Sequence, residues 1–167
     1  MAEIRPDQYL LPSILDRLID LDPDARREAP KGRAQLLRDL KQSVRRDLEN
    51  LLNTRVRCIP YPPGCKELKQ SLVHYGIPDM TGASLGTARE RDEFCRSIER
   101  TIRLYDHRLK KLTVRISEQG EPAERTIRFQ IDAVLQAEPA PEPLMFDSTL
   151  RLATGAFEIK GKGDRDD

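Results

Sequence analysis

The apolar residues Leu10, Leu11, Ile14, Leu15, Leu18 and Ile19 recur at helical spacing, and Pro12 is compatible with a first turn, so the pattern predicts a short amphipathic helix over 12–20. The stretch 22–32 carries Pro23, Pro30 and Gly32 among charges and reads as a solvated linker, which makes the first helix an arm. From 34 to 53, Leu36, Leu37, Leu40, Val44, Leu48, Leu51 and Leu52 form one stripe, the mark of a core helix. Pro60, Pro62 and Pro63 then force an extended loop. A shorter helix is predicted over 65–75, with Gly76 as its left-handed cap and Pro78 stopping continuation. Thr87 and Glu90 make a capping-box pair ahead of Phe94, Ile98, Ile102 and Tyr105, which predicts a further core helix over 88–105.

After Leu109 the period changes to two. Leu112, Val114 and Ile116 alternate with polar residues up to a turn at Gly120 and Pro122, and Ile127, Phe129, Ile131, Ala133 and Leu135 predict a second, longer strand. The prolines of 138–143 are expected to break the sheet. Leu150 and Leu152, then Phe157 and Ile159, suggest two short strands around Thr154 and Gly155 as a terminal hairpin. Helices first and strands last imply an α+β domain with a mainly antiparallel sheet of about four strands and an N-terminal helical arm. The division reads as arm and linker over 1–33, the domain over 34–160 and a disordered tail over 161–167.

Composition narrows the function. In 167 residues, 38% hydrophobic and 34% charged, there is material for one core, and a net charge of +1 supplies no global field toward nucleic acid or an anionic membrane. No apolar run approaches the roughly 20 residues of a membrane helix, so no direct membrane insertion and a cytoplasmic location are expected. Cys58, Cys65 and Cys95 match neither a disulfide framework nor a paired metal motif and fit a reducing compartment.

Candidate chemistry is sparse. His74 and His107 have no partner at local metal-ligand spacing, Cys65 has no nearby imidazole, and Cys95 beside Phe94 reads as a packed hydrophobe. Ser148 lacks a nucleophile-elbow context, and 82–86 lacks the lysine of a phosphate loop. Acids are plentiful, yet they sit beside Lys and Arg on charged faces, which disfavours the pair of unlike carboxyl groups a glycosidase needs. No enzyme activity, cofactor or metal is expected. The cluster of Arg26, Arg27, Lys31, Arg33, Arg38, Lys41, Arg45 and Arg46 is interrupted by Asp39 and Asp47, so it reads equally as a subunit-orienting patch or a solvated face.

Residues 40–55 (LKQSVRRDLENLLNTR), 71–82 (SLVHYGIPDMTG) and 98–109 (IERTIRLYDHRL), continued by FQIDAVLQ and FDSTLRLATGAFEI, form an ordered series. The series resembles the TssE family, the type VI secretion baseplate wedge component related to tailed-phage wedge subunits historically labelled lysozyme-like. The family usually carries Glu-Pro-Arg where this chain has Asp106, His107 and Arg108 after Tyr105. The resemblance implies a structural role in a cytoplasmic baseplate docked at the inner-membrane complex. TssF and TssG are the implied wedge partners, TssB and TssC the sheath partners, and TssK a further contact. A peptidoglycan hydrolase is the alternative.

On this view Leu11, Ile14, Leu15 and Leu18 are expected to dock on a neighbouring wedge subunit, because a tethered apolar face has little room in its own core. Arg108, flanked by Asp106 and His107, is expected to make a bidentate contact across an interface, the alternative being a pair with Asp106 within the chain. The terminal strands are expected to offer a sheet edge to the first sheath ring, with Arg151, Glu158 and Lys160 discouraging self-pairing. The alternative is that the strands satisfy one another.

Overall fold

A computed structural model describes residues 13–19, 31–57, 64–80, 85–119, 126–137 and 140–161. The helices α1 (Ile14–Leu18), α2 (Arg33–Asn53) and α3 (Ala88–Tyr105) precede the strands β1 (Leu109–Gln119), β2 (Thr126–Leu135), β3 (Glu142–Arg151) and β4 (Ala156–Gly161). The four strands pair in chain order as an antiparallel meander, leaving β1 and β4 at the edges. The α+β reading therefore holds, with the helical elements ahead of the sheet.

Period-two burial explains the sheet. On β2, Ile127, Phe129, Ile131, Ala133 and Leu135 are all buried, and the intervening residues face away from the core. The inner face receives Leu48, Leu51 and Leu52 from α2 and Phe94, Ile98 and Ile102 from α3 in one apolar cluster. Edge-to-face contacts run from Phe94 on α3 to Phe129 on β2 and on to Phe157 on β4, each with ring centroids 5.8 Å apart. The capping box at the start of α3 is present: Thr87 Oγ1 accepts from the Glu90 amide at 3.2 Å, and the Thr87 amide donates to the Glu90 carboxylate at 2.9 Å.

Two expectations need correction. The helix over 65–75 is instead a pair of 3-10 turns, Lys66–Gln70 and Leu72–His74. Ser71 divides them: its backbone is extended, its hydroxyl donates to the Leu68 carbonyl at 2.8 Å, and its own carbonyl accepts from the Tyr105 hydroxyl at 3.1 Å. The second correction concerns 138–143. β3 begins at Glu142 and pairs through Pro143, which lies opposite Val134. Phe157 turns its amide and carbonyl away from β3 toward Asn53. By alternation, Pro143 then faces the β4 side of β3, beyond the last described pair of Phe146 with Gly161. Among the described residues the missing amide costs no ladder bond. The predicted hairpin is present, and Gly155 adopts φ +67 in its turn. β4 includes Gly161, and the proline-rich 58–63, the turn 120–125 and the tail 162–167 lie outside the described residues.

Gly76 takes φ +112 and lets the chain cross the end of α2, where the Ile77 amide donates to the Thr54 carbonyl at 2.9 Å and the Val56 amide to the Ile77 carbonyl at 3.0 Å. A β-carbon at Gly76 would overlap the Thr54 carbonyl oxygen. Gly76→Ala is therefore expected to destabilise the fold by about 2 kcal/mol or more, read as a lowered denaturant midpoint; an unchanged midpoint would show that this crossing is not fixed.

Candidate functional site

The arm helix is attached by its polar face. Ser13 caps α1, and Asp16, its capping-box partner, reaches across to α2. There the Ser43 hydroxyl donates to Asp16 Oδ2 at 2.5 Å and Arg46 Nη2 donates to Oδ1 at 2.6 Å. Burial would push the Asp16 carboxyl up. The hydrogen bonds from Ser13, Ser43 and Arg46, with the charge of Arg46, outweigh it and hold the group down at about 2, against an ordinary 3.8. Asp16 in turn raises Arg46. With its acid turned inward, α1 leaves Ile14 78%, Leu15 56% and Leu18 76% exposed.

The attachment continues into a second charged group. Arg46 Nη2 also pairs with Asp47 Oδ1 at 3.2 Å, and Asp47 Oδ2 accepts from Arg108 Nη2 at 2.8 Å. Arg108 grips Asp106 through Nε at 2.9 Å and Nη2 at 2.7 Å, while its own amide donates to Asp106 Oδ1 at 3.1 Å. The hydrogen bonds to Asp106 are the main reason the Arg108 guanidinium is held strongly protonated, against the opposing effect of burial. Asp106 is buried at the C-cap of α3, His107 is exposed and Arg108 is half-buried. An unbroken alternation, Asp16, Arg46, Asp47, Arg108, Asp106, thus runs from the arm across α2 to the turn between α3 and β1.

Beside it lies a cleft of about 420 Å³ lined by Ser13, Asp47, Tyr75, Tyr105, His107 and Arg108 among others. Tyr75 and Tyr105 meet edge to face with ring centroids 5.0 Å apart. Burial raises both phenols, and the neighbouring carboxylates Asp47 and Asp106 raise Tyr75 further. These hydroxyls stay protonated at neutral pH, and that of Tyr105 donates to the Ser71 carbonyl.

The two sheet edges differ. Along β1, Glu99 Oε1 accepts from the Val114 amide at 2.9 Å and Arg103 Nη2 donates to the Leu112 carbonyl at 2.6 Å. Cys95, one turn before Glu99, takes a hydrogen bond from the Ile116 backbone; burial nevertheless raises its thiol. Side chains of α3 thereby occupy one outward group each at Leu112, Val114 and Ile116. On β4, Asn53 Nδ2 donates to the Phe157 carbonyl at 2.9 Å and Asn53 Oδ1 accepts from the Phe157 amide at 2.9 Å, while Arg55 donates to the Gly155 carbonyl. Among the described residues no hydrogen bond reaches the outward backbone groups of Ile159 and Gly161.

The sequence-predicted residues fall into two groups. Ile14, Leu15 and Leu18 on α1 and Asp106, His107 and Arg108 on the α3–β1 turn share one side of the molecule through the charge alternation, and Leu11 lies outside the described residues. Arg151, Glu158 and Lys160 lie together at the other end of the sheet, with Glu158 3.5 Å from each cation. Sequence reasoning missed Asp16, Ser43 and Asn53, and it read Arg46 and Asp47 only as parts of an interrupted basic patch. The spacing of Ser13 and Asp16 is a capping-box signal that was available for the first of them.

The family of baseplate wedge protein gp25 matches residues 38–140, and the chain belongs to this family. TssE is the type VI homologue of gp25. The matched stretch begins within α2 and ends before β3, so α1, β3 and β4 lie beyond it. No curated protein matches the chain. Membership gives the chain a structural baseplate role, exercised through contact with other baseplate components. No helix among the described residues is long and apolar enough to cross a membrane.

The arm attachment has a titration signature. Because the folded Asp16 value is depressed, the attachment is at full strength above the ordinary 3.8 and is lost as pH falls through about 2. Carbon-detected NMR titration of the Asp16 carboxyl should give a midpoint near 2 in the native chain and one shifted toward 3.8 in Arg46→Gln. A native midpoint already at 3.8 would mean that the arm is not attached.

Proposed function

We propose that the chain is the TssE-type wedge subunit of a type VI secretion baseplate in the cytoplasm, docked at the inner-membrane complex. Its arm and the Asp106–Arg108 turn bind TssF and TssG, with TssK as a further contact, and its terminal strands start the TssB–TssC sheath. The observation that carries this role is α1. A five-residue helix with no buried residue, anchored by a single acid, presents Ile14, Leu15 and Leu18 to solvent. A helix this short has little stability of its own, and an apolar face held outward by a polar anchor suits a partner's groove. The residues of the turn complement it: Arg108 is held rigidly by Asp106 and Asp47, and His107 and part of the guanidinium remain accessible for a wedge partner. At the far end, Arg151, Glu158 and Lys160 flank the strands proposed to meet the sheath.

The test is co-purification. Leu15→Ser combined with Leu18→Ser should sharply reduce recovery of TssF and TssG while shifting the thermal transition by no more than a degree or so, since neither side chain is part of the core. Full recovery of both partners would remove the arm from the wedge contact.

A further inference from the structure

β4 is the edge at which another chain can add a strand, and its outward groups are not equivalent. Backbone groups alternate in direction along a strand, so Phe157, Ile159 and Gly161 face outward, and Ala156, Glu158 and Lys160 face β3. Arg55 occupies the Gly155 carbonyl, and Asn53 occupies both groups of Phe157 with one side-chain amide. A primary amide that donates and accepts at one residue reproduces the pairing a neighbouring strand would make there. It also ends α2, so its position is fixed by a buried helix that packs on β4. On β1 the occupied groups lie mid-strand instead, where Arg103 takes the Leu112 carbonyl and Glu99 the Val114 amide.

We infer that Asn53 is a register stop: it confines strand addition on β4 to Ile159 and Gly161 and so fixes the alignment of the incoming strand, an inference that rests on the sheath contact proposed above. The incoming segment is short and extended. Its side chain on the inner face lies beside buried Ile159 and must be apolar, and the adjoining side chains meet Glu158 and Lys160 on the polar face. Sliding the strand toward the hairpin by one pairing would require displacing Asn53 from Phe157. Such a slip also leaves the side-chain amide without its two partners.

The experiment is residue-resolved amide exchange on the full chain, alone and with purified TssB–TssC. Alone, the Phe157 amide should exchange slowly and the Ile159 and Gly161 amides quickly, and Asn53→Ala should speed Phe157 several-fold. With TssB–TssC, protection should appear at Ile159 and Gly161, and in Asn53→Ala it should spread to Phe157. Protection confined to Ile159 and Gly161 in both forms would overturn the register stop while leaving strand addition standing. No change anywhere on β4 would overturn the sheath contact itself. Protection that grows with the chain's own concentration, without TssB–TssC, would assign the edge to a second copy and overturn both. Asn53→Leu removes both the acceptor for the Phe157 amide and the donor to its carbonyl while keeping a side chain of similar size, so it gives the same discrimination if the alanine variant does not fold.

Discussion

Asp47 sits between two arginines, and the arrangement of the outer surface depends on it. Arg46 uses one edge of this carboxylate while holding the arm through Asp16, and Arg108 uses the other while holding the α3–β1 turn through Asp106. Three carboxylates and two guanidiniums alternate, so each cation lies between two anions and no like charges meet directly. Because Asp106 is buried and Arg108 half-buried, their pair is less screened by water than a surface ion pair. Arg108 serves the chain itself before it can serve a partner. What it offers outward is a guanidinium whose orientation is already set, which lowers the ordering cost of any contact made there.

The sheet shows the same economy of helix side chains. α3 runs along β1 and directs Cys95, Glu99 and Arg103, spaced one turn apart, at successive backbone groups of that edge. α2 does less along β4, contributing Asn53 at its last turn and Arg55 just beyond it. An exposed edge invites pairing with any extended chain, and natural sheets normally block it. Here one edge is blocked over several residues and the other only near the hairpin. That asymmetry distinguishes the two edges of the sheet.

Much of the fold was legible because its signals are local. The α2 stripe, the Thr87–Glu90 box and the alternation on β2 each declare an element within a few residues. β3 was only half legible: Leu144 and Phe146 continue the alternation, but Pro143 argued for a break, and only the strand register, which turns Pro143 away from β2, explains why a proline is tolerated there. The 65–75 segment has helical composition, and the division at Ser71 depends on a tyrosine 34 residues away. The candidate site was legible as two separate features, an apolar arm and an Asp-His-Arg turn. Their connection was not, since Asp16 meets Ser43 and Arg46 across 27 and 30 positions and Asp47 meets Arg108 across 61. On a helical wheel Arg46 and Asp47 are ordinary members of a charged face.

The central claim is that arm and turn form one unit through Asp47. A double-mutant cycle on Arg46→Gln and Arg108→Gln, read by denaturant unfolding, tests it directly. Sharing one carboxylate should make the two losses non-additive by about 0.5 kcal/mol or more. Losses that add to within about 0.3 kcal/mol would mean that the arm and the turn are held independently.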